Sequence, residues 1–325
     1  MKNTLQTQKI SRLRFEIIVS LLAGLVFLPF VAQADQDWVV RQSGTSSELH
    51  SVFFTPNGQS GWAVGFGGTV LSTSNGGQTW SKQSSGTQSE LRAVFFTPNG
   101  RAGWAVGFNG TIISTNNGGA TWANQASGTP NELESVFFTP SGRQGWAVGF
   151  GGTILTTTDA GKTWIPQSSG TPNALRSVAF SSSGLHGLAV GFGGVVLATS
   201  DGGNTWKAQD SKTQMDLNSV SVANGGRSAW AVGFGGTILY SSNGGQSWAA
   251  QRSNTQNDLR SVTVSENGMY GWAAGFNGMI LSTSNGGQSW TSVATGTSTQ
   301  LESISATQNG KFAWAVGFGG VIVNN

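Results

Sequence analysis

The chain has 325 residues, no cysteine, 49 glycines and 13 tryptophans, and only 10% of its residues are charged. These figures exclude a disulfide-stapled fold and any cysteine-ligated metal, and the scarcity of charge excludes a highly solvated, disordered chain. The formal charge of +3 does not ask for nucleic acid, because four of the 17 basic residues and one of the 14 acidic ones fall in the first 34 positions, leaving 13 of each beyond them.

Those first 34 residues read as a secretory signal peptide. Lys2, Lys9, Arg12 and Arg14 form a basic start, and residues 17–31 (IIVSLLAGLVFLPFV) are apolar. Ala32-Gln33-Ala34 then supplies the small residues that predict cleavage before Asp35. An uncleaved membrane anchor is the competing reading, but the run is shorter than the ~20 residues a spanning helix needs. The expected organisation is a signal peptide over 1–34 and a single domain over 35–325. The expected destination is the periplasm, the thylakoid lumen in a phototroph, or the medium.

From Trp38 onward the chain repeats. Trp38, Trp80, Trp122, Trp164, Trp206, Trp248 and Trp290 are spaced by 42 residues. Trp62, Trp104, Trp146, Trp230, Trp272 and Trp314 form a second series of the same period, with Leu188 filling the missing step. Each unit holds four strand-like runs. In the first unit these are residues 49–54 (LHSVFF, strand a), 62–66 (WAVGF, strand b), 69–73 (TVLST, strand c) and a strand d starting at Trp80. Gly67-Gly68, replaced by Asn109-Gly110 and Asn277-Gly278, suits a two-residue antiparallel turn with positive φ at both positions.

Four antiparallel strands per 42-residue unit predict an all-β, seven-bladed β-propeller. The last unit supplies strands over 301–306, 314–318 and 321–324 and then stops. Trp38 is in phase with the strand d tryptophans, so the N-terminal strand is predicted to complete the last blade and close the ring.

The connection from c to d is a repeated box: TSNGGQTW, TNNGGATW, TTDAGKTW, TSDGGNTW, SSNGGQSW and TSNGGQSW. At its third position stand Asn75, Asn117, Asp159, Asp201, Asn243 and Asn285. A short polar side chain there can bond nearby backbone N–H groups and fix the turn. Only two of the six are carboxylates, too few for a calcium site, so a structural role is expected. The box resembles the Asp-box, or bacterial neuraminidase repeat.

The period, the tryptophan-rich units, the signal peptide and the GWAVG…GG.TW cadence are together similar to the photosystem II stability/assembly factor family. The resemblance spans the whole mature chain. It implies a seven-bladed propeller that binds an early reaction-centre protein during assembly and is not an enzyme. It also implies boxes on the rim and an arginine-rich patch for the partner.

The face that carries the d–a and b–c loops is where the repeats diverge. Ahead of strand a runs the column Glu48, Glu90, Glu132, Ala174, Asp216, Asp258 and Gln300. Two residues on stand His50, Arg92, Glu134, Arg176, Asn218, Arg260 and Glu302. Neighbouring columns such as Leu49 and Val52 are nearly uniform, so the variable column is the candidate partner-binding surface. Arg92, Arg176 and Arg260 suit a carboxylate, because the planar guanidinium bonds both oxygens. The alternative is that they pair with Glu90, Asp258 and Glu134 as ordinary ion pairs. The column is expected to be solvated.

The expected partner is a protein or peptide, such as a membrane-protein segment exposed outside the cytoplasm, bound by a monomer. A sialidase-like, carbohydrate-active propeller is the rival. That chemistry needs a tyrosine nucleophile on the functional face, and Tyr240 and Tyr270, the only tyrosines, are predicted at the other end. No cofactor or metal is expected. His50 and His186 are the only histidines and differ in phase, and GFGG lies in a hairpin with no helix behind it. In the recurring GWAVGFGGTV phrase, alternation puts Trp62, Val64 and Phe66 on one blade face and Ala63 and Gly65 on the other. The phenylalanine at each turn leaves room for an exposed ring on the functional face.

Overall fold

The computed structural model describes residues 37–325, and the expected signal peptide lies outside them. The described residues form seven four-stranded antiparallel sheets. In blade 1 the strands are Leu49–Phe54 (a), Gly61–Gly65 (b), Thr69–Thr73 (c) and Ser81–Gln83 (d), bonded in that order. The pattern recurs around the ring, giving the seven-bladed propeller that the period predicts. Strand b begins and ends one residue earlier than expected, because Phe66 belongs to the turn. Strand d begins after Trp80 rather than on it.

The ring closes through the N-terminus. Val39–Arg41 pairs antiparallel with Ile322–Asn324, with Val40 opposite Val323. That strand completes blade 7 alongside Leu301–Ala306 and Ala313–Gly317. Closure removes the open edge that the last blade would otherwise present.

The glycine-rich phrase meets two separate demands. Gly67 and Gly68 have φ of 62 and 69°, the left-handed geometry of a turn whose twist matches its strands. Asn109 holds φ 54° at the equivalent position. Gly65 is extended, yet a Cβ there would stand 1.9 Å from the Glu48 carbonyl oxygen. Its missing side chain lets the start of strand a approach the end of strand b.

Blades nest bulky face against slim face. Trp62 and Val64 enter a core with Leu91, Val94 and Phe96 of the next blade, while Ala63 faces Phe54, Trp314 and Val316. Trp62 stacks on Phe96 at 3.6 Å between centroids, and Trp122 meets the same ring edge-on at 5.8 Å. Such aromatic pairs contribute about 0.5–1.5 kcal/mol each beyond area burial.

Strand a of each blade lies against strand a of both neighbours, around a central cavity of about 320 Å³. As an edge strand it has N–H groups without ladder partners. Serines on the preceding blade receive them: Ser51 Oγ accepts from Val94 N–H at 3.2 Å, and Ser303 Oγ from Val52 N–H at 3.1 Å. The bond recurs at the other seams except one, where Ala93 replaces the serine. The cavity wall is uneven, with Phe53, Phe95 and Phe137 on one side and Ala179, Ser221, Thr263 and Ser305 on the other.

Candidate functional site

Every strand a carries a bulge at the same place. In blade 1 Leu49 pairs with Gly65 and Ser51 with Val64, so His50 is the extra residue between them. The same shift falls at Arg92, Glu134, Arg176, Asn218, Arg260 and Glu302. The variable column is thus the bulge column, and a bulge re-aims its side chain out of the pleat. A sign of it was present in the sequence: the apolar columns of Leu49 and Val52 are three apart, which strict alternation does not allow.

The b–c turn locks onto this column. Phe66 N–H donates to the Glu48 carbonyl at 2.9 Å, and the equivalent bond recurs in the other blades. The turn phenylalanines therefore ring the same mouth, and Phe66 is 58% exposed. The arginines lie over these rings: Arg92 is 4.9 Å from Phe108, Arg176 is 4.5 Å from Phe192, and Arg260 lies between Phe276 at 4.8 Å and Phe234 at 5.7 Å. Sequence reasoning left room for an exposed ring here but not for its pairing with guanidinium.

Seven carboxylates share the mouth with three arginines, and they are unevenly distributed. On blades 1–3 the charges consume one another. Arg92 Nη1 lies 2.9 Å from Glu90, and its Nε donates to Glu132 at 2.8 Å. His50 Nε2 is 2.8 Å from Glu90 and Nδ1 is 3.5 Å from Glu48. Burial and the Arg92 charge hold His50 down at about 4, so it is a neutral donor to Glu90 at physiological pH. Burial, with Glu302 and Glu90 nearby, raises the Glu48 carboxyl. On blade 7, Glu302 accepts a hydrogen bond from the Gln300 amide.

Blades 4–6 differ. Asp216 and Asp258 each accept a backbone N–H, from Gly193 and Gly235, at 2.8 Å. Arg260 makes no ion pair within 4 Å among the described residues, and Arg176 reaches Glu134 only at 3.9 Å. The Nε atoms of Arg176 and Arg260 are buried without a partner. Between them, Asn218 donates to the Leu259 carbonyl at 2.9 Å while its Oδ1 stays unbonded. This arc offers guanidinium donors, aromatic faces and one acceptor.

The expectation of a solvated column is corrected by these burials. Only 9% of the Glu134 side chain is exposed. Burial pushes its carboxyl up to about 7, against the opposing pull of Arg176 and Arg92. The sequence shows the charge but not the wall that the neighbouring blades build around it. Asp258, considered as an arginine partner, instead binds the Gly235 amide.

The box residues lie elsewhere, at the c–d turns. Asn75 Oδ1 accepts from Thr79 N–H at 3.1 Å and Thr73 Oγ1 at 2.9 Å, and its amide donates to Thr79 Oγ1. Asn117, Asn243 and Asn285 repeat that pattern. Asp159 and Asp201 use both carboxylate oxygens on the same groups, and hydrogen bonds from Thr163 and Thr205 hold them down at about 2. Every box side chain is committed to its own turn.

Fold and mouth together define a seven-bladed propeller with a charged, aromatic-rimmed ring at one end of its channel. The chain belongs to the family described as Photosynthesis system II assembly factor YCF48, whose profile matches residues 84–168, 167–256 and 227–311. A solved structure titled "YCF48 bound to D1 peptide" is 22% identical, with a TM-score of 0.72 over 89% of this chain and 94% of that one. YCF48 from Cyanidioschyzon merolae is 19% identical, with a TM-score of 0.71 over 89% and 98%. The RRP9 WD40 repeats share 9% identity with a TM-score of 0.75 over 89% and 96%, a likeness of fold alone. No curated protein matches the sequence.

Proposed function

We propose that the chain is an exported, non-catalytic assembly or stability factor that holds a peptide segment of a protein partner against the blade 4–6 arc of its mouth. The carrying observation is the pair Arg176 and Arg260, each stacked on phenylalanine with an unpartnered Nε, flanking the free Oδ1 of Asn218. Guanidiniums take a carboxylate in a bidentate grip, and the amide oxygen takes a backbone N–H. The carboxylates of blades 7 and 1–3 repel an anionic segment and so set its placement. Family membership, and a relative whose structure holds a D1 peptide, support a peptide partner. The partner is a protein segment exposed outside the cytoplasm, bound by a monomer in the periplasm, or in the thylakoid lumen if the cell is phototrophic.

Binding of partners from the native envelope tests this reading. A triple Arg92/Arg176/Arg260→Ala variant is expected to lose the partner that wild type retains. Unchanged retention overturns the reading.

The sialidase-like alternative draws on Glu134, whose raised carboxyl is the kind of group that serves as a general acid. It lacks the tyrosine nucleophile of a sialidase at the mouth. Tyr240 packs on Trp230 at 4.9 Å, and Tyr270 lies at the a–b connection, at the far end of the blade. Glycoside turnover abolished by Glu134→Gln would establish that alternative in place of the one proposed.

A further inference from the structure

The seam between blades 4 and 5 departs from its siblings on the face opposite the mouth. At the other seams strand b presents a tryptophan. Trp62, Trp104, Trp146, Trp272 and Trp314 each donate an indole N–H to a backbone carbonyl of the next blade, at 2.9 to 3.1 Å, whereas the Trp230 indole N–H is buried without a partner. Leu188 takes that place in blade 4 and has no N–H to offer the next blade. Its cross-strand partner is Ala198, where other blades have Ser72, Thr156 or Tyr240. In blade 5, strand a runs on to Ala223 and turns tightly through Asn224–Gly226, with Asn224 at φ 53°. Smaller side chains and a tighter turn open a cleft of about 750 Å³.

The charge of the lining is net positive, with Lys207 and Arg227 against the single carboxylate of Asp201. His186, Lys207 and Arg227 border the cleft, and none makes an ion pair or side-chain hydrogen bond among the described residues. Asp201 also borders it, but both its oxygens are taken by Thr199 and Thr205. The rest of the wall is amide, hydroxyl and glycine backbone, with Ala198 the sole apolar side chain and the His186 imidazole the one ring.

We propose that this cleft binds an anionic saccharide, its carboxylate held by Arg227 and Lys207 and its hydroxyls by the amide and hydroxyl wall. The free cations call for an anion. The volume lies within the usual range of roughly 300–1,000 Å³ for small-molecule sites and exceeds what a bare oxyanion fills. Hydroxyl groups match the dense polar lining.

Calorimetric titration of the purified protein at low ionic strength tests the assignment, with glucuronic acid, glucose and inorganic phosphate as probes. Glucuronic acid is expected to bind, with glucose and phosphate each at least about tenfold weaker. Lys207→Ala and Arg227→Ala, both on the surface, are each expected to weaken it by about tenfold with an unchanged melting transition. Ala198→Tyr, which copies Tyr240 of blade 5, is expected to abolish uptake by filling the cleft. Arg176→Ala leaves uptake intact, which separates this site from the mouth. Absence of glucuronic acid binding overturns the proposal. So does equal binding of phosphate, or unchanged affinity in both Arg227→Ala and Ala198→Tyr.

Discussion

Arg176 Nη1 stands 3.9 Å from Glu134 Oε2, reaching from one blade to the next across the mouth. The contact is too long to offset the burial of the carboxyl, so the glutamate keeps its proton to about pH 7. A cation and a nearly neutral acid therefore share the site, and much of the charge of Arg176 is left for a partner.

This makes stability depend on pH in a definite direction. The folded-state value of Glu134 lies above the ~4.3 of an unfolded glutamate. Its contribution is therefore complete below about pH 4.3 and lost as pH rises through about 7. Glu134→Gln fixes the neutral state. The variant is expected to match wild type near pH 4 and to exceed it by about 1–2 kcal/mol at pH 8. Urea midpoints at both pH values measure this, and a difference that ignores pH refutes it.

Gly65 and Gly67, two residues apart, should behave very differently. At Gly67 a Cβ meets nothing within 4 Å, so Gly67→Ala costs only the backbone strain of φ 62°, about 1 kcal/mol. Gly65→Ala drives its methyl into the Glu48 carbonyl and should cost ~3 kcal/mol or more. Chemical denaturation of the two variants side by side reads the contrast.

The serine missing between blades 2 and 3 can be restored. Ala93→Ser places a hydroxyl where Ser51 and Ser135 receive Val94 and Val178 N–H. A gain of about 1 kcal/mol is expected, and Ser177→Ala, which frees Val220 N–H, should lose a similar amount. Thermal melts with opposite shifts support the edge-strand role of the column.

Closure of the ring rests on a short strand with one buried anchor. Trp38 is 7% exposed and meets Trp272 edge-on at 5.5 Å. Trp38→Ala is expected to cost about 3–5 kcal/mol and to promote association through the exposed edge of Ile322–Asn324. Val40→Ala, at a residue 46% exposed, should do neither. Calorimetry and size-exclusion profiles check both.

The architecture was legible in residue order because its signals are local and repeat. Two-residue turns such as Gly67-Gly68, alternation in WAVG and a strand d tryptophan at position 38 each act within a few residues. Their recurrence in phase leaves one way to close the ring. The variable column was legible as a list of charges, since divergence from a repeat is visible in one dimension.

What those charges do depends on distances between blades, which no single repeat encodes. The bulge turns His50 and its counterparts toward the mouth, neighbouring walls bury Glu134, and adjacent carboxylates engage Arg92 while leaving Arg260 unpaired. Leu188 reads as a mild lapse in a tryptophan series until an open cleft is seen at its seam. Burial and ion pairing are set by residues some 42 positions apart in sequence and a few ångströms apart in space. Composition and period define the scaffold, and contact between blades assigns each side chain its charge state and its partner.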